Sequence, residues 1–227
     1  MAAQHESALA WGATTPRRSV LAHYKDADLR TRAFLTARWA MTPYTEMAAR
    51  FPKQGDVLDL ACGHGLLSLA LALGSPARRV TGIDHDEPRV AIAQRAARGV
   101  PNLDFRAGDF RALDEPRTWD AIGIIDTMHY FPYPLQESTF AKVFARVRPG
   151  GTFIFREVDP TSAGVASLIN RLHEKFMVGL HITKAEELHF RNIAGWAELA
   201  RNAGFEVTSQ PFARFPYADV LFTCTRP

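Results

Sequence analysis

Cysteine is scarce in this chain. Only two of its 227 residues are cysteines, Cys62 and Cys224, and they lie far apart in the sequence. Two distant cysteines form no disulfide framework, and neither has the spacing of a metal-ligand set. Three histidines, His173, His181 and His189, recur at intervals of eight residues, which matches no familiar ligand pattern. The sequence therefore predicts no metal site.

Long apolar runs are also absent. No stretch reaches the roughly 18 residues that a membrane-spanning helix needs, and the N-terminus lacks the basic-then-apolar pattern of a secretory signal. We therefore expect no transmembrane segment and a cytoplasmic protein. The chain carries no RNA-binding module and no dense basic patch with interleaved aromatic residues, so nucleic acid is not an expected partner. The formal net charge of +3 permits an acidic partner without requiring one.

Strand-like and helix-like segments alternate through the middle of the chain. Hydrophobic residues make up 47% of the sequence, which is enough for a sizeable core. The predicted strands lie near residues 56–61, 79–84, 103–107, 119–125 and 151–158, and the predicted helices near 64–73, 87–98 and 135–147. Such alternation predicts an α/β fold, a doubly wound and mostly parallel sheet with helices on both faces.

The ends of the chain differ from this core. We expect a single domain with an N-terminal helical cap over residues 1–54 and a cofactor-binding core over residues 55–160. A helical insertion then covers residues 161–203. Residues 204–227 alternate apolar and polar positions, which predicts a closing β-hairpin. The hairpin completes a seven-stranded sheet with an antiparallel C-terminal strand.

The stretch from Val57 to Gly65 is the most informative segment of the chain. An apolar strand runs into a glycine turn, a helical stretch follows, and a second strand ends at Asp84. Gly63 and Gly65 allow a tight turn and a close approach of the backbone to a ligand. Asp84 lies 21 residues after Gly63, where a carboxylate can accept hydrogen bonds from ribose hydroxyls. This arrangement is typical of a nucleotide-binding βαβ unit.

Two cofactor classes use this geometry. A dinucleotide fingerprint places a third glycine at position 68, which is Ser68 in this chain. Asp59, four residues before Gly63, would lie awkwardly beside a pyrophosphate but suits a cofactor with an ammonium and a sulfonium. An NAD(P)-dependent oxidoreductase stays open as an alternative, although no Tyr-x-x-x-Lys or comparable hydride-transfer signature supports it.

Five segments, in order along the chain, resemble the motifs of class I (Rossmann-like) S-adenosylmethionine-dependent methyltransferases. They are residues 59–65, 82–86, 107–110, 120–130 and 148–155. Together they extend over roughly residues 55 to 160. The resemblance implies S-adenosylmethionine as cofactor, S-adenosylhomocysteine as product, and helical regions outside the core that form a lid over the acceptor.

The resemblance also implies a set of cofactor-binding residues. Asp84 would hold the ribose, Asp109 would lie near the adenine amine, and Phe110 would lie beside the adenine ring. The complete predicted set is Asp59, Ala61, Gly63, Gly65, Asp84, His85, Asp109, Phe110, Asp126 and Thr127.

Catalytic candidates follow the fourth and fifth predicted strands, because ligands of open α/β sheets bind beyond the carboxyl ends of the strands. His129 is the candidate base, since an imidazole titrates near neutral pH. Its alternative role is packing on Phe131 or capping the next helix. Glu157 is a candidate acceptor-binding or basic group, and its alternative role is an ion pair with Arg156 or another arginine.

The acceptor is predicted from the loop after the fourth strand and from the predicted lid. The loop sequence Asp126-Thr-Met-His-Tyr130 departs from the Pro-Pro-aromatic pattern of enzymes that methylate adenine or glutamine. Aromatic and apolar residues in the helical regions favour a small-molecule acceptor with a hydrophobic portion, such as an aromatic hydroxyl, a polyketide-like metabolite or a lipid-linked group. Oxygen is the expected methyl acceptor atom. A non-catalytic S-adenosylmethionine-binding partner protein stays open, as does a homodimer formed through an exposed apolar lid.

Overall fold

The structure, a computed structural model, describes residues 17–158, 160, 188–212 and 218–227, with side chains from residue 19 onward. The helices in these ranges are α1 (Arg17–Ala22), α2 (Leu29–Met41), α3 (Tyr44–Ala48), α4 (Leu66–Gly74), α5 (Glu87–Ala96), α6 (Tyr133–Arg146) and α7 (Ile193–Asn202). The strands are β1 (Gly55–Leu60), β2 (Arg78–Asp84), β3 (Leu103–Ala107), β4 (Trp119–Ile125), β5 (Val147–Val158), β6 (Glu206–Pro211) and β7 (Asp219–Thr225). Short 3-10 turns cover Phe110–Asp114 and Met128–Tyr130.

All seven strands form one sheet in the order β3-β2-β1-β4-β5-β7-β6. Strands β1 to β5 pair in parallel, whereas β7 is antiparallel to both of its neighbours, β5 and β6. The predicted α/β fold, with its seven-stranded sheet and antiparallel C-terminal strand, is confirmed. The strand order reverses between β1 and β4, and this reversal opens a crevice at the carboxyl ends of the strands.

Helices cover both faces of the sheet. Helix α4 is almost wholly apolar, with the sequence LLSLALALG, and packs in one core cluster with residues of the three N-terminal helices. On the other face, α6 and α7 pack over an aromatic cluster that includes Phe140, Phe155, Phe222 and Trp196. Strand β1 lies between these layers and is buried from Asp56 to Leu60, as expected for a central strand of a parallel sheet.

The N-terminal helices are fixed to the core by polar contacts as well as by packing. The Tyr24 hydroxyl donates to the carbonyl oxygen of His64, 2.6 Å away. The buried guanidinium of Arg78 donates to four backbone carbonyls that lie at the ends of α3 and α4: those of Ala48, Phe51, Pro52 and Leu71. Carbonyls near the C-terminal ends of helices lack intrahelical partners, so one arginine satisfies several at once. The Tyr24 bond fixes the end of the α1 segment on the glycine turn, and the Arg78 bonds fix the end of α3 beside α4 and the start of β2.

Two element boundaries differ clearly from the predicted ones, and two predicted segments fall outside the described residues. Strand β5 begins at Val147 rather than near residue 151, because a bulge separates the pairs Trp119–Val147 and Ala121–Thr152. Of the predicted helical insertion, residues 161–187 lie outside the described residues, and the described remainder forms α7 only from Ile193. Residues 213–217, in the predicted hairpin connection, also lie outside them. Among the described residues, no helix is long and apolar enough to cross a bilayer.

Gly65 is required for packing as well as for backbone conformation. Its φ of 82° is left-handed, and a Cβ atom there would lie 2.3 Å from the Phe105 ring. Gly99 offers a matched control, because its φ is 80° but nothing lies within 4 Å of its Cβ position. We expect Gly65→Ala to lower the free energy of unfolding by about 1 to 3 kcal/mol more than Gly99→Ala does, since overpacking adds to backbone strain.

Urea denaturation of the two variants and the wild type measures this difference. Equal losses in Gly65→Ala and Gly99→Ala would show that the Phe105 ring moves aside at little cost and would contradict the packing argument.

Candidate active site

A cavity of about 490 Å³ opens at the carboxyl ends of β1, β2 and β4. Its volume lies within the usual range of small-molecule sites, roughly 300 to 1,000 Å³. Its walls come from the glycine turn, the ends of β2 and β4, the 3-10 turns, and helices α2 and α3. The cavity therefore lies at the point where the strand order reverses, which is the usual ligand position in open α/β sheets.

The glycine turn forms the floor of the cavity. Gly63 has a φ of 56°, and no atom lies within 4 Å of the position that its Cβ would occupy. A ligand can therefore approach the backbone closely at this residue. Ala61, which also lines the cavity, has a φ of 61° although it is not a glycine. Strained conformations of this kind are found preferentially at functional sites.

Asp84 connects the end of β2 to the glycine turn. Its Oδ2 accepts a hydrogen bond from the backbone N–H of Gly63 at 2.7 Å, and its Oδ1 accepts one from Asp86 N–H at 2.9 Å. An ionised carboxylate can accept about four hydrogen bonds. Asp84 thus holds the turn in place and retains acceptor capacity toward the cavity that it lines.

Asp59 is a buried carboxyl group at the same end of the sheet. Its relative exposure is 2%, and its Oδ2 accepts a hydrogen bond from the Ser68 hydroxyl at 2.5 Å. Burial raises the pKa of Asp59 to about 7, the hydroxyl of Ser68 opposes this rise, and the charge of Asp84 adds to it. A cationic ligand group in the cavity would favour the ionised form of Asp59.

Asp126 directly follows β4 and lies between two arginines. Arg38 of α2 donates to its Oδ2 at 2.7 Å, and Arg156 of β5 donates to its Oδ1 at 2.8 Å and also to Oδ2. Burial alone would raise the pKa of Asp126, but the charges of Arg156 and Arg38 hold it below its ordinary value. Asp126 is therefore ionised, and it keeps a left-handed φ of 54°. Arg38 lines the cavity with a side chain that is 28% exposed.

The remaining wall is aromatic. Phe110 packs edge-on against Phe131 with ring centroids 4.8 Å apart, and both rings line the cavity. Asp109, next to Phe110, accepts hydrogen bonds from the backbone N–H and the Nε of Arg111, each at 2.9 Å. Tyr130 lines the same wall.

Nine of the ten residues predicted to bind the cofactor line this one cavity. They are Asp59, Ala61, Gly63, Asp84, His85, Asp109, Phe110, Asp126 and Thr127. The tenth, Gly65, lies behind the turn, where it faces the Phe105 ring. Its part in the site is thus to let the turn pack closely on β3.

The two predicted catalytic residues are placed differently. His129 and Glu157 are fully buried, and neither is among the described residues that line the cavity. His129 Nδ1 lies 2.6 Å from Glu157 Oε2, so the two form a pair of their own. The alternative role of His129 was packing on Phe131, but the rings against it are Tyr130 and Phe190, with centroid distances of 4.2 and 5.2 Å. The alternative ion pair of Glu157 with Arg156 is not formed, because Arg156 pairs with Asp126.

Several cavity residues were not foreseen from the sequence. They come from helix α2: Phe34, Leu35 and Arg38. A weak signal was available, because Phe34 and Arg38 are four residues apart and so share one face of α2. Nothing in the local sequence indicates that this face lies over the glycine turn, where Phe34 packs on His64 with ring centroids 5.6 Å apart. The described residues around the cavity thus define a site for a nucleoside cofactor at the switch point of an α/β sheet.

Comparison with known proteins finds similarity to methyltransferases. Residues 57–151 match the family model described as a methyltransferase domain. The ubiquinone biosynthesis O-methyltransferase of Pseudomonas fluorescens is 35% identical over 107 residues, which are 45% of this chain and 44% of that protein. The demethylmenaquinone methyltransferase of Thermus thermophilus is 31% identical over 139 residues, 60% of this chain and 61% of that protein. The chain thus spans about half the length of the curated relatives it matches.

A solved structure shares the fold over most of the chain. The O-methyltransferase family 2 protein from Planctomyces limnophilus, in complex with apigenin, superposes with a TM-score of 0.68 at 19% identity. The match covers 92% of this chain and 66% of that one. This likeness shows a shared fold, and the similarity to a methyltransferase domain extends over residues 57–151.

The donor set of the cavity fits S-adenosylmethionine, the cofactor that the sequence motifs imply. The molecule carries ribose hydroxyls, an adenine, an ammonium and a carboxylate. The cavity offers carboxylates at Asp59 and Asp84, an aromatic ring at Phe110 and a guanidinium at Arg38. The open space above Gly63 leaves room for close contact with the backbone.

The raised pKa of Asp59 predicts a pH dependence of stability. The folded-state pKa of about 7 lies above the ordinary value of 3.8. Between these two values the folded protein keeps a proton on Asp59 that the unfolded chain loses. Asp59 therefore contributes more to the stability of the fold at low pH than at high pH. This contribution is lost as the pH rises from about 4 to about 7. Relative to wild type, Asp59→Asn should therefore gain melting temperature as the pH increases from about 5 to about 8.

Thermal melts across this pH range test the expectation, with the exposed Asp104 changed to Asn as the matched control. A constant offset between Asp59→Asn and wild type at every pH would contradict the assigned pKa.

Proposed function

We propose that the protein transfers the methyl group of S-adenosylmethionine to an oxygen atom of a small-molecule acceptor with an aromatic portion. The observation that carries this proposal is the continuity of the cavity. Carboxylates suited to the cofactor line one part of it, and a wall of aromatic rings lines the rest. These rings belong to Phe34, Tyr44, Tyr130 and Phe131, whereas Phe110 would lie beside the adenine of the cofactor.

The proposed cofactor contacts follow from charge and position. Asp84 accepts hydrogen bonds from the ribose hydroxyls, and Asp59 faces the ammonium group. The carboxylate of the cofactor requires a cation, and the described cavity residues supply two guanidiniums, Arg38 and Arg89. Arg89 lies 3.4 Å from Asp86 at the start of α5, on the ribose side, whereas Arg38 lies by the end of β4. We therefore assign the carboxylate to Arg38.

The bound cofactor supplies an activated methyl group, so the chain mainly has to align the acceptor and exclude water. Alignment alone can lower a barrier by about 7 to 11 kcal/mol in favourable cases. In this chain, α2 and α3 cover the glycine turn and contribute apolar rings to the cavity wall. The turn after β4, with Thr127 and Tyr130, forms the side that the acceptor would approach.

The aromatic character of the acceptor is supported by the rings of the cavity and by the names of similar proteins. One relative is an O-methyltransferase of ubiquinone biosynthesis, a second is a demethylmenaquinone methyltransferase, and the similar structure was solved with apigenin. Flat aromatic molecules suit a wall of rings, because offset and edge-on ring pairs are favourable beyond the area that they bury. We infer that the acceptor atom is oxygen because the first of these relatives is an O-methyltransferase.

Methyl uptake from radiolabelled S-adenosylmethionine tests the proposed function. We expect label to enter one or more members of a panel of catechols, hydroxybenzoates, flavonoids and quinols. Asp84→Ala should weaken cofactor binding by about 1 to 3 kcal/mol, since charge-assisted hydrogen bonds are lost. Asp104→Ala, which removes an exposed carboxylate, should leave cofactor binding unchanged.

Three outcomes would contradict parts of this proposal. Label found only on nitrogen or carbon would exclude oxygen as the acceptor atom. Cofactor binding without transfer to any panel member would favour the non-catalytic binding protein. Binding of NADH in place of S-adenosylmethionine would overturn the cofactor.

The proposed contact of Arg38 gives a separate prediction. Arg38→Met should weaken S-adenosylhomocysteine binding about 10- to 100-fold, because a charged hydrogen bond of about 1.5 to 3 kcal/mol is lost. Binding of 5′-methylthioadenosine, which lacks the carboxylate, should not change. Arg32→Met, on the exposed face of the same helix, is the matched control. Calorimetric titration of the wild type and both variants measures the affinity for each ligand. Equal weakening of both ligands in Arg38→Met would contradict the assignment of the carboxylate to Arg38.

A further inference from the structure

The turn after β4 is held by a buried carboxylate. Glu157 Oε1 accepts hydrogen bonds from the backbone N–H groups of Met128 at 2.8 Å and Thr127 at 3.3 Å. Its Oε2 lies 2.6 Å from His129 Nδ1. Both oxygens of Glu157 are thus occupied by three consecutive residues of one turn. A carboxylate acceptor at these distances implies that Nδ1 of His129 carries a proton.

Other contacts hold the same turn from outside. The buried side-chain amide of Gln136 donates to the carbonyls of Met128 and Phe131 at 3.1 and 2.9 Å. The backbone N–H of His189 donates to the carbonyl of His129 at 2.7 Å, and Phe190 stacks on the His129 ring at an interplanar angle of 14°. The turn is therefore fixed from β5, from α6 and from the segment before α7.

Two adjacent residues of β5, Arg156 and Glu157, bind this turn from opposite faces of the sheet. Side chains of consecutive strand residues point to opposite faces of a sheet. Arg156 pairs with Asp126 on one face, and Glu157 pairs with residues 127–129 on the other. Asp126 keeps its left-handed φ of 54° between them. A residue keeps a strained backbone conformation only where several surrounding contacts hold it there.

We infer that Glu157, together with His129, is a positioning residue that holds the turn on which Thr127 and Tyr130 face the acceptor. This inference rests on the proposed methyl transfer. The pair lies behind the cavity wall, whereas Asp126, Thr127 and Tyr130 line the cavity. The pair acts by fixing the turn and takes no proton from the acceptor.

Substitutions at His129 separate positioning from base catalysis. The amide nitrogen of Asn can replace Nδ1 as a donor to Glu157, yet Asn cannot take up a proton. We expect His129→Asn to keep kcat within about tenfold of wild type, whereas His129→Ala lowers it about 100-fold, as a displaced reacting group does. A general base would be lost in both variants, at a cost of about 100-fold or more in each.

Substitutions at Glu157 provide the second test. In Glu157→Gln the amide oxygen can still accept from Met128 N–H, so most of the turn is retained. Glu157→Ala removes the contacts to Thr127, Met128 and His129 and should lower kcat more than Glu157→Gln does. Glu137→Gln, at an exposed position of α6, is the matched control.

The pH profile of kcat adds a readout that a purely structural role would not alter. The titratable groups around His129 are Glu157 on β5, Asp126 and Tyr130 on the same turn, and His189 from the segment packed on it. We expect the acidic limb of the profile to be the same in His129→Asn and wild type. Disappearance of an acidic limb in His129→Asn would assign the base to His129 and overturn the inference.

Hydrogen exchange tests the turn without any acceptor. With S-adenosylhomocysteine bound, the Met128 amide should exchange slowly in wild type and Glu157→Gln, and at least 10-fold faster in Glu157→Ala. Equal exchange in all three would overturn the positioning role even if methyl transfer is observed. Conversely, if no acceptor is methylated but the exchange pattern is found, the proposed function fails while the turn is shown to be held by Glu157.

Discussion

Buried carboxylates at the carboxyl ends of four strands are the constraint on which the site depends. An isolated charge in a protein interior is very costly, so each of these groups needs protons, hydrogen bonds or counter-charges. The chain satisfies each one differently. Asp59 has one hydroxyl partner and a pKa of about 7, and Asp84 accepts from two backbone N–H groups. Asp126 lies between two arginines, and Glu157 binds one turn through both oxygens.

These different solutions separate the roles of the four groups. Asp59 and Asp84 keep acceptor capacity toward the cavity, which suits them to bind the cofactor. Asp126 is neutralised by arginines and joins the N-terminal helix α2 to the sheet through Arg38. Glu157 has its oxygens occupied by the turn, so its contribution is geometric. The division between binding and positioning thus follows from what already surrounds each carboxylate.

The fold and the grouping of the glycine turn with Asp59 and Asp84 around one cavity could be predicted, because their signals are local in sequence. The run from Asp59 to Gly65 and the carboxylate at Asp84 have a spacing that one βαβ unit determines by itself. The contribution of Arg38 could not be predicted, because it depends on where α2 packs against the sheet. A packing role for His129 was one of two predicted alternatives, but its contact with Phe190 could not be predicted, because Phe190 is distant in sequence. Gly65 was predicted to approach the ligand, but the structure places the Phe105 ring against it.

The most direct test of the account is a crystal structure of the protein with S-adenosylhomocysteine. We predict that the ribose hydroxyls contact Asp84, that the ammonium faces Asp59, and that the carboxylate contacts Arg38. The turn at residues 126–130 should keep its bonds to Glu157 and border the sulfur atom. A ligand bound away from the glycine turn, or one whose ribose makes no contact with Asp84, would contradict the central claim that Asp59 and Asp84 form the cofactor site.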